Sequence, residues 1–428
     1  MGYYGVAMKY SVRELRTLQV ALRPHPAEDA PWHIGCNSPA SMRVLISGAG
    51  IAGLTLALCL QRQGHEVLLI DKMPRLRSDG YMIDFFGPGY RAAELLGLLP
   101  RLQVLHQPVT HTTFLARDGA QRFTIPYSQL RTLTRGRFCN FLRGDLERLL
   151  SESLTGRVPI RFGTEVMSVK EDRGAVHVML SDITTHSCDL LVGADGVHSR
   201  VRTLSFGPEQ SFRRYLGCHA AACILERPPS LSAQDGTYFT ISLPGRQAVI
   251  HPLRDGQVAV FFAHADPCST YETVQFAIRS KLAKRYGDLG WHIPELLRRQ
   301  SEGSYVYYDT ASQIIMQAWT RGRIVLVGDA CWCGSLLAGQ GASLAMAGAY
   351  ALSEELERER DIPAALSRYE RRLRPLVELK QKEGRDFAGW FVPESALKCA
   401  ARDLALRMTS FLSALPLHNY SLANSEAF

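Results

Sequence analysis

The order of apolar and polar residues changes character along the chain. From residue 42, the segments RVLIS, GAGIAG, LTLALCLQRQG and HEVLLID follow each other as buried strand, glycine turn, helix and strand. Between residues 215 and 262, strand-like runs are broken by Gly and Pro without helices between them. Residues 271–300 and the tail from residue 347 are helical in pattern, with breaks near Pro363 and Pro393. The pattern predicts a mixed α/β (α+β) fold: a βαβ-type domain, an inserted antiparallel sheet and C-terminal helices.

The same pattern predicts domain limits. Residues 1–41 end in a Pro-rich, turn-like stretch, and Met42 stands directly before the first strand. We therefore interpret residues 1–41 as an N-terminal extension without an assigned role. We predict a discontinuous first domain over residues 42–210 and 305–365, a second domain over residues 211–304, and a C-terminal helical segment over residues 366–428.

The turn after the first strand, Gly48-Ala49-Gly50-Ile51-Ala52-Gly53, has the composition of a dinucleotide-binding loop. In such a loop the first glycine allows the tight turn, the second lets a pyrophosphate approach the backbone, and the third lets helix and strand pack closely. The next helix directs its positive end at the phosphates. Asp71, followed by Lys72, ends the second strand, where an acid accepts hydrogen bonds from a ribose. These residues are predicted to bind a dinucleotide.

Composition and charge narrow the class of protein. The 428 residues are 46% hydrophobic, but no run approaches the ~20 apolar residues of a membrane span. The net charge of +8 is scattered, so we predict neither nucleic-acid binding nor stable membrane insertion. The ten cysteines lack regular spacing and no secretory signal is visible, which favours reduced thiols in the cytoplasm. We interpret Cys331 and Cys333 as buried thiols and expect no metal site.

Two further segments each begin with a strand-like apolar run that ends at a glycine. Residues 188–202 read CDLLVGADGVHSRVR and carry Asp195, and residues 323–345 read RIVLVGDACWCGSLLAGQGASLA and carry Asp329. With the turn at Gly48, in this order and spacing, they resemble the three motifs of single-component (group A) FAD-dependent monooxygenases of the para-hydroxybenzoate hydroxylase type. The resemblance covers most of residues 42–395 and is strongest to the branch with tetracycline-inactivating flavin monooxygenases and polyketide-tailoring hydroxylases.

The resemblance implies FAD as the cofactor and a Rossmann-like FAD-binding first domain. Asp195 belongs to the motif that separates these flavin enzymes from other dinucleotide-binding proteins. Asp329, after Gly328, would bind hydroxyl groups of the ribityl chain or ribose. The amides of Gly341 and Ala342 would lie near the pyrimidine end of the flavin ring, and Gly339 belongs to the same glycine cluster.

Two more segments match stretches that contact FAD in the family. In LRSDGYMIDFFGPGYRAAELLGLL, residues 76–99, Arg77 would contact the cofactor and NADPH, and Asp84 would contact FAD. Arg143, in FLRGDLERLL, matches the arginine over the adenine-side ribose and pyrophosphate. The main chain near Val166 would contact adenine.

The implied reaction is a monooxygenation. NAD(P)H, the co-substrate, reduces the flavin; O2 adds at the flavin C4a carbon; the hydroperoxide then oxygenates a hydrophobic aromatic or polyketide-like small molecule. The protein orients the substrate and excludes water, so we name no catalytic acid or base. Aromatic residues of the inserted sheet, such as Tyr238, Phe239, Phe261 and Phe262, suit a flat ligand or the core. The histidines of this region, His111, His219, His251 and His264, are expected to be packed or exposed rather than catalytic.

The third motif departs from the family between its glycine clusters. Trp332 replaces a usual His or Tyr, and Gly334 and Leu336 stand where prolines are frequent. Proline would fix the backbone beside the flavin ring, so we expect a bulkier, less constrained loop and slow, uncoupled turnover. The departure leaves open an alternative, a flavoprotein-fold cyclase or other non-redox tailoring enzyme with structural FAD. Substrate identity, NADH against NADPH, and oligomeric state stay open.

Overall fold

The computed structural model of the protein describes residues 41–76, 80–172, 174–231, 236–300, 305–334 and 339–414. Their helices are α1 (Ile51–Arg62), α2 (Pro88–Leu95), α3 (Leu99–Leu105), α4 (Ser128–Leu133), α5 (Arg143–Leu154), α6 (Arg200–Ser205), α7 (Gln275–Tyr286), α8 (Ile293–Arg298), α9 (Asp329–Trp332), α10 (Gly341–Arg358), α11 (Ile362–Phe391) and α12 (Ala396–Ala414), with a 3-10 turn at Glu209–Ser211. Their strands are β1 (Arg43–Ser47), β2 (Glu66–Asp71), β3 (Met82–Phe86), β4 (His111–Leu115), β5 (Gln121–Pro126), β6 (Phe138–Leu142), β7 (Ile160–Phe162), β8 (Val166–Glu171), β9 (Val176–Leu180), β10 (Thr185–Cys188), β11 (Leu190–Gly193), β12 (Arg213–Glu226), β13 (Thr237–Leu243), β14 (Arg246–Pro252), β15 (Gln257–Ala265), β16 (Tyr307–Ile314), β17 (Thr320–Arg321) and β18 (Ile324–Leu326).

The predicted βαβ unit, β1–α1–β2, lies at the centre of a first sheet with the order β17-β18-β11-β1-β2-β7. β1 pairs in parallel with both β2 and β11, with Val44 opposite Val67 and Leu190. Except at its β17 edge, the sheet is parallel throughout. The inner strands are apolar and buried, as strands of parallel sheets usually are. The carboxyl ends of β1, β2, β11 and β18 therefore meet at one edge.

A second sheet of seven strands has the order β16-β12-β15-β14-β13-β4-β5. Its neighbours are antiparallel except β13 and β4, which pair in parallel with Thr237 opposite His111. The predicted antiparallel sheet is thus mixed because β4 joins it in parallel, and the sheet also recruits β5 and β16 from outside the predicted second domain. Periodicity indicates where strands lie but not which strands pair. The domain limits stay a prediction.

Side chains of the second sheet alternate between two cores, as the two-residue period of strands requires. On one face Phe261 packs in a cluster that includes Phe387 of α11. On the other face Phe262 packs in a cluster with Ile278 of α7 and Ile293 of α8. Helices therefore cover both faces of this sheet. The remaining strands form two smaller sheets, with the orders β10-β9-β8 and β3-β6.

The mixed α/β fold and the helical tail are confirmed. Residues 359–361 separate α10 from α11, and residues 392–395 separate α11 from α12, close to the predicted breaks near Pro363 and Pro393. Asp361 caps α11 by accepting a hydrogen bond from the amide of Ala364 (3.0 Å), and Pro363 lies in the first turn, where its missing N–H costs nothing. Residues 1–40 and 415–428 lie outside the described residues.

Candidate cofactor and substrate site

A cavity of about 650 Å³ opens at the carboxyl edge of the first sheet. Its wall includes residues 48–52 after β1, 71–73 after β2, 194–198 after β11, and 329 and 332–334 after β18. Ligands of open α/β sheets usually bind at this edge. The three glycine-containing motifs therefore line one cavity.

The first turn has little room for side chains except towards the cavity. Gly48 has a φ of 112°, and a Cβ there would collide with the carbonyl oxygen of Ala194. A Cβ at Gly53 would collide with the carbonyl oxygen of Gly48. By contrast, a Cβ at Gly50 would lie 3.6 Å from its nearest neighbour, Oε1 of Glu147. The amino end of α1 thus opens to the cavity as a phosphate cradle would.

Asp71 fastens this turn to the end of β2. Its Oδ2 accepts a hydrogen bond from the amide of Ala49 (2.7 Å), and its Oδ1 accepts one from the amide of Met73 (2.8 Å). Each carboxylate oxygen can accept a further hydrogen bond. Asp71 and the exposed Lys72 both belong to the cavity wall.

Arg143 supplies a positive charge opposite the first turn. Its Nη2 pairs with Oε1 of Glu147 at 2.8 Å, and its amide donates to the carbonyl oxygen of Tyr81 at 3.0 Å. Burial lowers the pKa of Arg143, but the Glu147 carboxylate and weaker partners outweigh this, so the net pKa is raised. The guanidinium is therefore fixed beside Gly50, where it suits an anion.

In the second motif, the acid organises its own loop. The Asp195 carboxylate accepts hydrogen bonds from the Ser199 hydroxyl and from the amide of Val201 (3.1 Å). Burial raises the pKa of Asp195, and the hydrogen bonds, which favour the carboxylate, offset only part of this shift. The buried Arg202 donates to the carbonyl oxygen of Ala330 at 2.8 Å. The second motif is thereby tied to the third.

His198 links the second motif to the second sheet. Its Nδ1 lies 3.1 Å from Oε2 of Glu209, its Nε2 lies 3.3 Å from Oδ1 of Asp309, and its ring stacks on Tyr271. Burial lowers the pKa of His198, but the two carboxylates outweigh it and raise the pKa to about 9. The cavity wall therefore contains an imidazolium held between strand β16 and the 3-10 turn.

In the third motif, the Asp329 side chain is exposed and lines the cavity. The protein around it desolvates the carboxylate and raises the pKa of Asp329, and the charge of Arg143 opposes the effect. A Cβ at Gly341, the first residue of α10, would lie 3.9 Å from Oδ1 of Asp329. Gly339, Gly341 and Ala342 all line the cavity, so the amino end of α10 faces it as well.

Trp332 is accommodated in the core rather than crowding the loop, which corrects the expectation from its size. Its ring lies 4.8 Å from that of Trp319 and 5.9 Å from that of Tyr369, and only 2% of the residue is exposed. A Cβ at Gly348 of α10 would lie 2.5 Å from the indole, so the glycine makes room for it. Leu336 lies outside the described residues.

Asp84 does not line the cavity. It is buried in β3, where Nδ2 of Asn140 donates to its Oδ1 at 2.5 Å and the Tyr127 hydroxyl donates to its Oδ2 at 3.4 Å. The acid thus stabilises the β3–β6 ribbon and its surroundings. The geometry gives no support to a contact between Asp84 and the cofactor.

Three more residues that were predicted to bind the cofactor, Gly53, Gly328 and Val166, do not line the cavity. Arg77 lies outside the described residues. Gly53 and Gly328 lie behind the wall, where they permit close packing of the backbone. Val166 is completely buried, whereas its neighbour Glu165 lines the cavity. The predicted contact between the main chain near Val166 and adenine stays a prediction.

The other half of the wall is aromatic and comes from unexpected elements. Tyr81, Tyr307, Phe387 and Trp390 line it, together with charged residues of α11. Of the two roles left open for the aromatic residues of strands β13 and β15, a flat ligand or the core, the structure gives the core, since none of the four lines the cavity. Phe261 packs behind Tyr81 at 6.0 Å between ring centroids, because both faces of that sheet are covered.

The histidines of the second sheet are packing residues, as expected. His219 bonds to the Tyr308 hydroxyl (2.8 Å) and His264 to the Tyr286 hydroxyl (3.0 Å), and neither lines the cavity. Burial lowers the pKa of His264 to about 3, with help from nearby cations, so it is neutral. Most of the described cysteines are buried, Cys331 and Cys333 among them.

Sequence reasoning missed several residues of the wall. Glu147 was detectable, since it follows Arg143 by one helical turn. Lys380, Glu383, Phe387 and Trp390 also recur with helical spacing on α11. Nothing in the sequence, however, indicated that this face of α11 turns towards the first sheet.

The chain belongs to the FAD-binding family described as "FAD binding domain", whose model matches residues 41–379. The resemblance to group A flavin monooxygenases is thereby confirmed. The open glycine cradle at Gly50, the adjacent Arg143 and the acid at Asp71 fit the pyrophosphate and ribose of FAD.

The chain is similar to a relative named as a monooxygenase and to two solved structures of the same fold. "Flavin-dependent monooxygenase eupH" from Phoma sp is 30% identical over 390 residues, covering 83% of this chain and 89% of that protein. The crystal structure of tetracycline destructase Tet(55) is 26% identical, with a TM-score of 0.74, covering 87% of this chain and 97% of that one. The crystal structure of a single-residue variant of Klebsiella pneumoniae HpxO complexed with FAD is 25% identical, with a TM-score of 0.70, covering 86% and 94%. The protein is an FAD-dependent monooxygenase of this family.

In the ranges that the structure describes, no helix combines the length and apolar character needed to cross a bilayer.

Proposed function

We propose that the protein uses NAD(P)H and O2 to hydroxylate or oxygenate a hydrophobic aromatic or polyketide-like small molecule. The observation that carries this proposal is the continuity of the cavity. One part of its wall has the glycine turn, Asp71 and Arg143, and another part is aromatic and begins at Tyr81, next to Arg143. A cofactor held against the first part would present its ring towards a substrate beside the second.

In this proposal the residues of the three motifs hold FAD. The amino end of α1 and Arg143 bind the pyrophosphate, Asp71 binds the adenosine ribose, and Asp329 with the amino end of α10 faces the flavin end. FAD, when bound, supplies electron transfer from NAD(P)H and activation of O2. The first-sheet edge supports this arrangement because two helix amino ends and a fixed arginine converge there.

The substrate class is inferred from the aromatic half of the wall. Tyr81 and Tyr307, with ring centroids 6.2 Å apart, and Phe387 and Trp390 of α11 offer flat apolar surfaces. Glu383 and Asp386 add polar groups that could orient hydroxyl or amino substituents. Tet(55), named a tetracycline destructase, is similar over most of this chain, which supports a polycyclic aromatic or polyketide-like substrate.

The chain's own contribution is to orient the substrate and to exclude water. Oxygen transfer in such enzymes needs no protein nucleophile, and premature access of water diverts the reduced cofactor and O2 to peroxide. The overall balance is one NAD(P)H, one O2 and one proton consumed per oxygenated product, with water and NAD(P)+ released. We therefore assign no catalytic acid or base.

The test is anaerobic mixing of the purified, FAD-loaded protein with NADH or NADPH, with and without aromatic polyketides, followed by admission of O2. We expect bleaching of the flavin absorption and then oxygenated product that contains one atom from labelled O2. Bound flavin that neither nucleotide reduces, with substrates present, would overturn the redox proposal and favour a cyclase with structural FAD.

A further inference from the structure

The first half of the third motif, which ends at Gly334 where related sequences often have a proline, forms part of the cavity wall. Asp329, Trp332, Cys333 and Gly334 all line the cavity. Without a proline ring to restrict the backbone at Gly334, something else must hold the chain where it leaves α9. The contacts that hold it come from strand β16 and helix α11.

Gln313, at the end of β16, is the first of these contacts. It is completely buried, and its Nε2 donates to the carbonyl oxygens of Gly334 (2.9 Å) and Gln381 (2.6 Å). Its Oε1 accepts a hydrogen bond from Nη1 of Arg385 at 3.1 Å. The amide is thus oriented from both sides, with its donor group directed at the loop.

Gln381, on α11, is the second contact. It is buried, and its Nε2 donates to the carbonyl oxygen of Ile314 at 2.6 Å and lies 3.5 Å from that of Cys333. The Ile314 amide donates to the same Cys333 carbonyl at 3.2 Å. The two glutamines therefore join β16, α11 and the loop backbone in one hydrogen-bonded network.

Gly384 allows α11 to come this close. A Cβ at Gly384 would collide with the carbonyl oxygen of Gly334, the same oxygen that Gln313 binds. One helical turn separates Gly384 from Gln381, so both lie on the face of α11 that meets the loop. Any side chain at position 384 would push the loop towards the cavity.

We propose that Gln313, Gln381 and Gly384 form a backbone clamp that positions Cys333 and Gly334 in the wall of the FAD cavity and so sets the affinity for FAD. These three are positioning residues, since they act through the loop. The clamp replaces, by hydrogen bonds from outside, the restraint that proline would supply from within. The inference rests on the proposed placement of FAD in this cavity.

The first test compares Gly384→Ala with Gly389→Ala in the full-length chain. Both changes replace a glycine of α11 by alanine, but a Cβ at Gly389 would have no neighbour within 4 Å. We expect Gly384→Ala to weaken FAD binding about tenfold or more, as loss of one or two hydrogen bonds does. Gly389→Ala should leave the affinity within about twofold. FAD titration of the apoprotein and its thermal unfolding give affinity and stability separately.

The second test keeps the inference falsifiable if Gly384→Ala does not fold. Gln313→Met and Gln381→Met retain side-chain length but remove the donors, and Gln247→Met makes the same change at a buried glutamine of β14 that binds Arg402 instead. We expect weaker FAD binding and an altered spectrum of bound FAD only in the first two. Unchanged FAD affinity in the clamp variants, at equal loss of apoprotein stability, would overturn the clamp. Absence of FAD binding by the wild type would instead contradict the proposed function.

Discussion

Two loops of the same cavity are built in opposite ways. The turn at residues 48–53 is held mainly by its own glycines and by β1 and β2 on either side of it, with one close contact to Ala194 after the neighbouring strand β11. In the loop at residues 329–334, Gln313 and Gln381 bind the backbone and Gly348 leaves room for Trp332, so the loop depends on three other elements. The first loop is specified locally, whereas the second depends on the packing of distant segments.

The difference explains why the unusual third motif need not be loose. The prolines of related sequences restrict a loop through its own torsions, and this restraint is visible in a sequence. Buried amides and glycines restrict the present loop from outside, and such a restraint is distributed over the chain. The following predictions test this contrast, from the largest expected effect to the smallest.

Gly53→Ala should have the largest effect, because position 53 has the least space for a side chain in the locally specified turn. The new Cβ would collide with the carbonyl oxygen of Gly48, so helix and strand must separate. We expect a loss of about 3–5 kcal/mol in the free energy of unfolding, or no soluble protein. Urea denaturation of the apoprotein measures it, with Gly389→Ala as the control. A change below about 1 kcal/mol would show that the turn is not packed as described.

Gly50→Val should separate binding from folding in the same turn. A Cβ at this position has 3.6 Å to its nearest neighbour, so the apoprotein should keep its stability within about 1 kcal/mol. The valine methyls would occupy the space proposed for the pyrophosphate, and FAD affinity should fall by about 100-fold. Fluorescence titration with FAD measures the change. Undiminished affinity would remove the pyrophosphate from this turn.

Gly348→Ala should test the distant support of the second loop. The Cβ would lie 2.5 Å from the indole of Trp332, and overpacking of this kind costs about 1–3 kcal/mol. In a Trp332→His background the ring is smaller, so the same substitution should be neutral or slightly stabilising through helix propensity. A double-mutant cycle on thermal unfolding measures the coupling. Additive effects would mean that glycine and tryptophan do not depend on each other.

His198→Asn should show an effect no larger than that of Gly348→Ala, and one that depends on pH. The folded-state pKa of about 9 exceeds the ordinary value of 6.5 because of Asp309 and Glu209. The imidazolium therefore stabilises the fold fully below about pH 6.5 and loses this contribution as the pH rises through about 9. We expect the wild type to exceed the variant by about 1–3 kcal/mol at pH 6 and by little at pH 10.

His251→Asn provides the control of opposite sign. Burial lowers the pKa of His251 to about 4, so the wild type should lose stability relative to this variant as the pH falls from about 6.5 to 4. Guanidinium or urea unfolding across pH measures both profiles. A flat difference for His198 would contradict the ion-pair link between the second motif and β16.

The sequence by itself determined the βαβ unit, a dinucleotide-binding turn and the helical tail, and the resemblance of three ordered motifs to a known family implied that the dinucleotide is FAD. The first three depend on residues close together in the chain: periodicity, glycine spacing and an acid at a strand end. Only the tertiary structure decided that β4, β5 and β16 join the second sheet, that Asp84 is buried against Asn140, and that α11 supplies the aromatic wall. The physical reason is that strand pairing, burial and the facing of a helix are set by contacts between distant segments, which leave no periodic trace in the sequence.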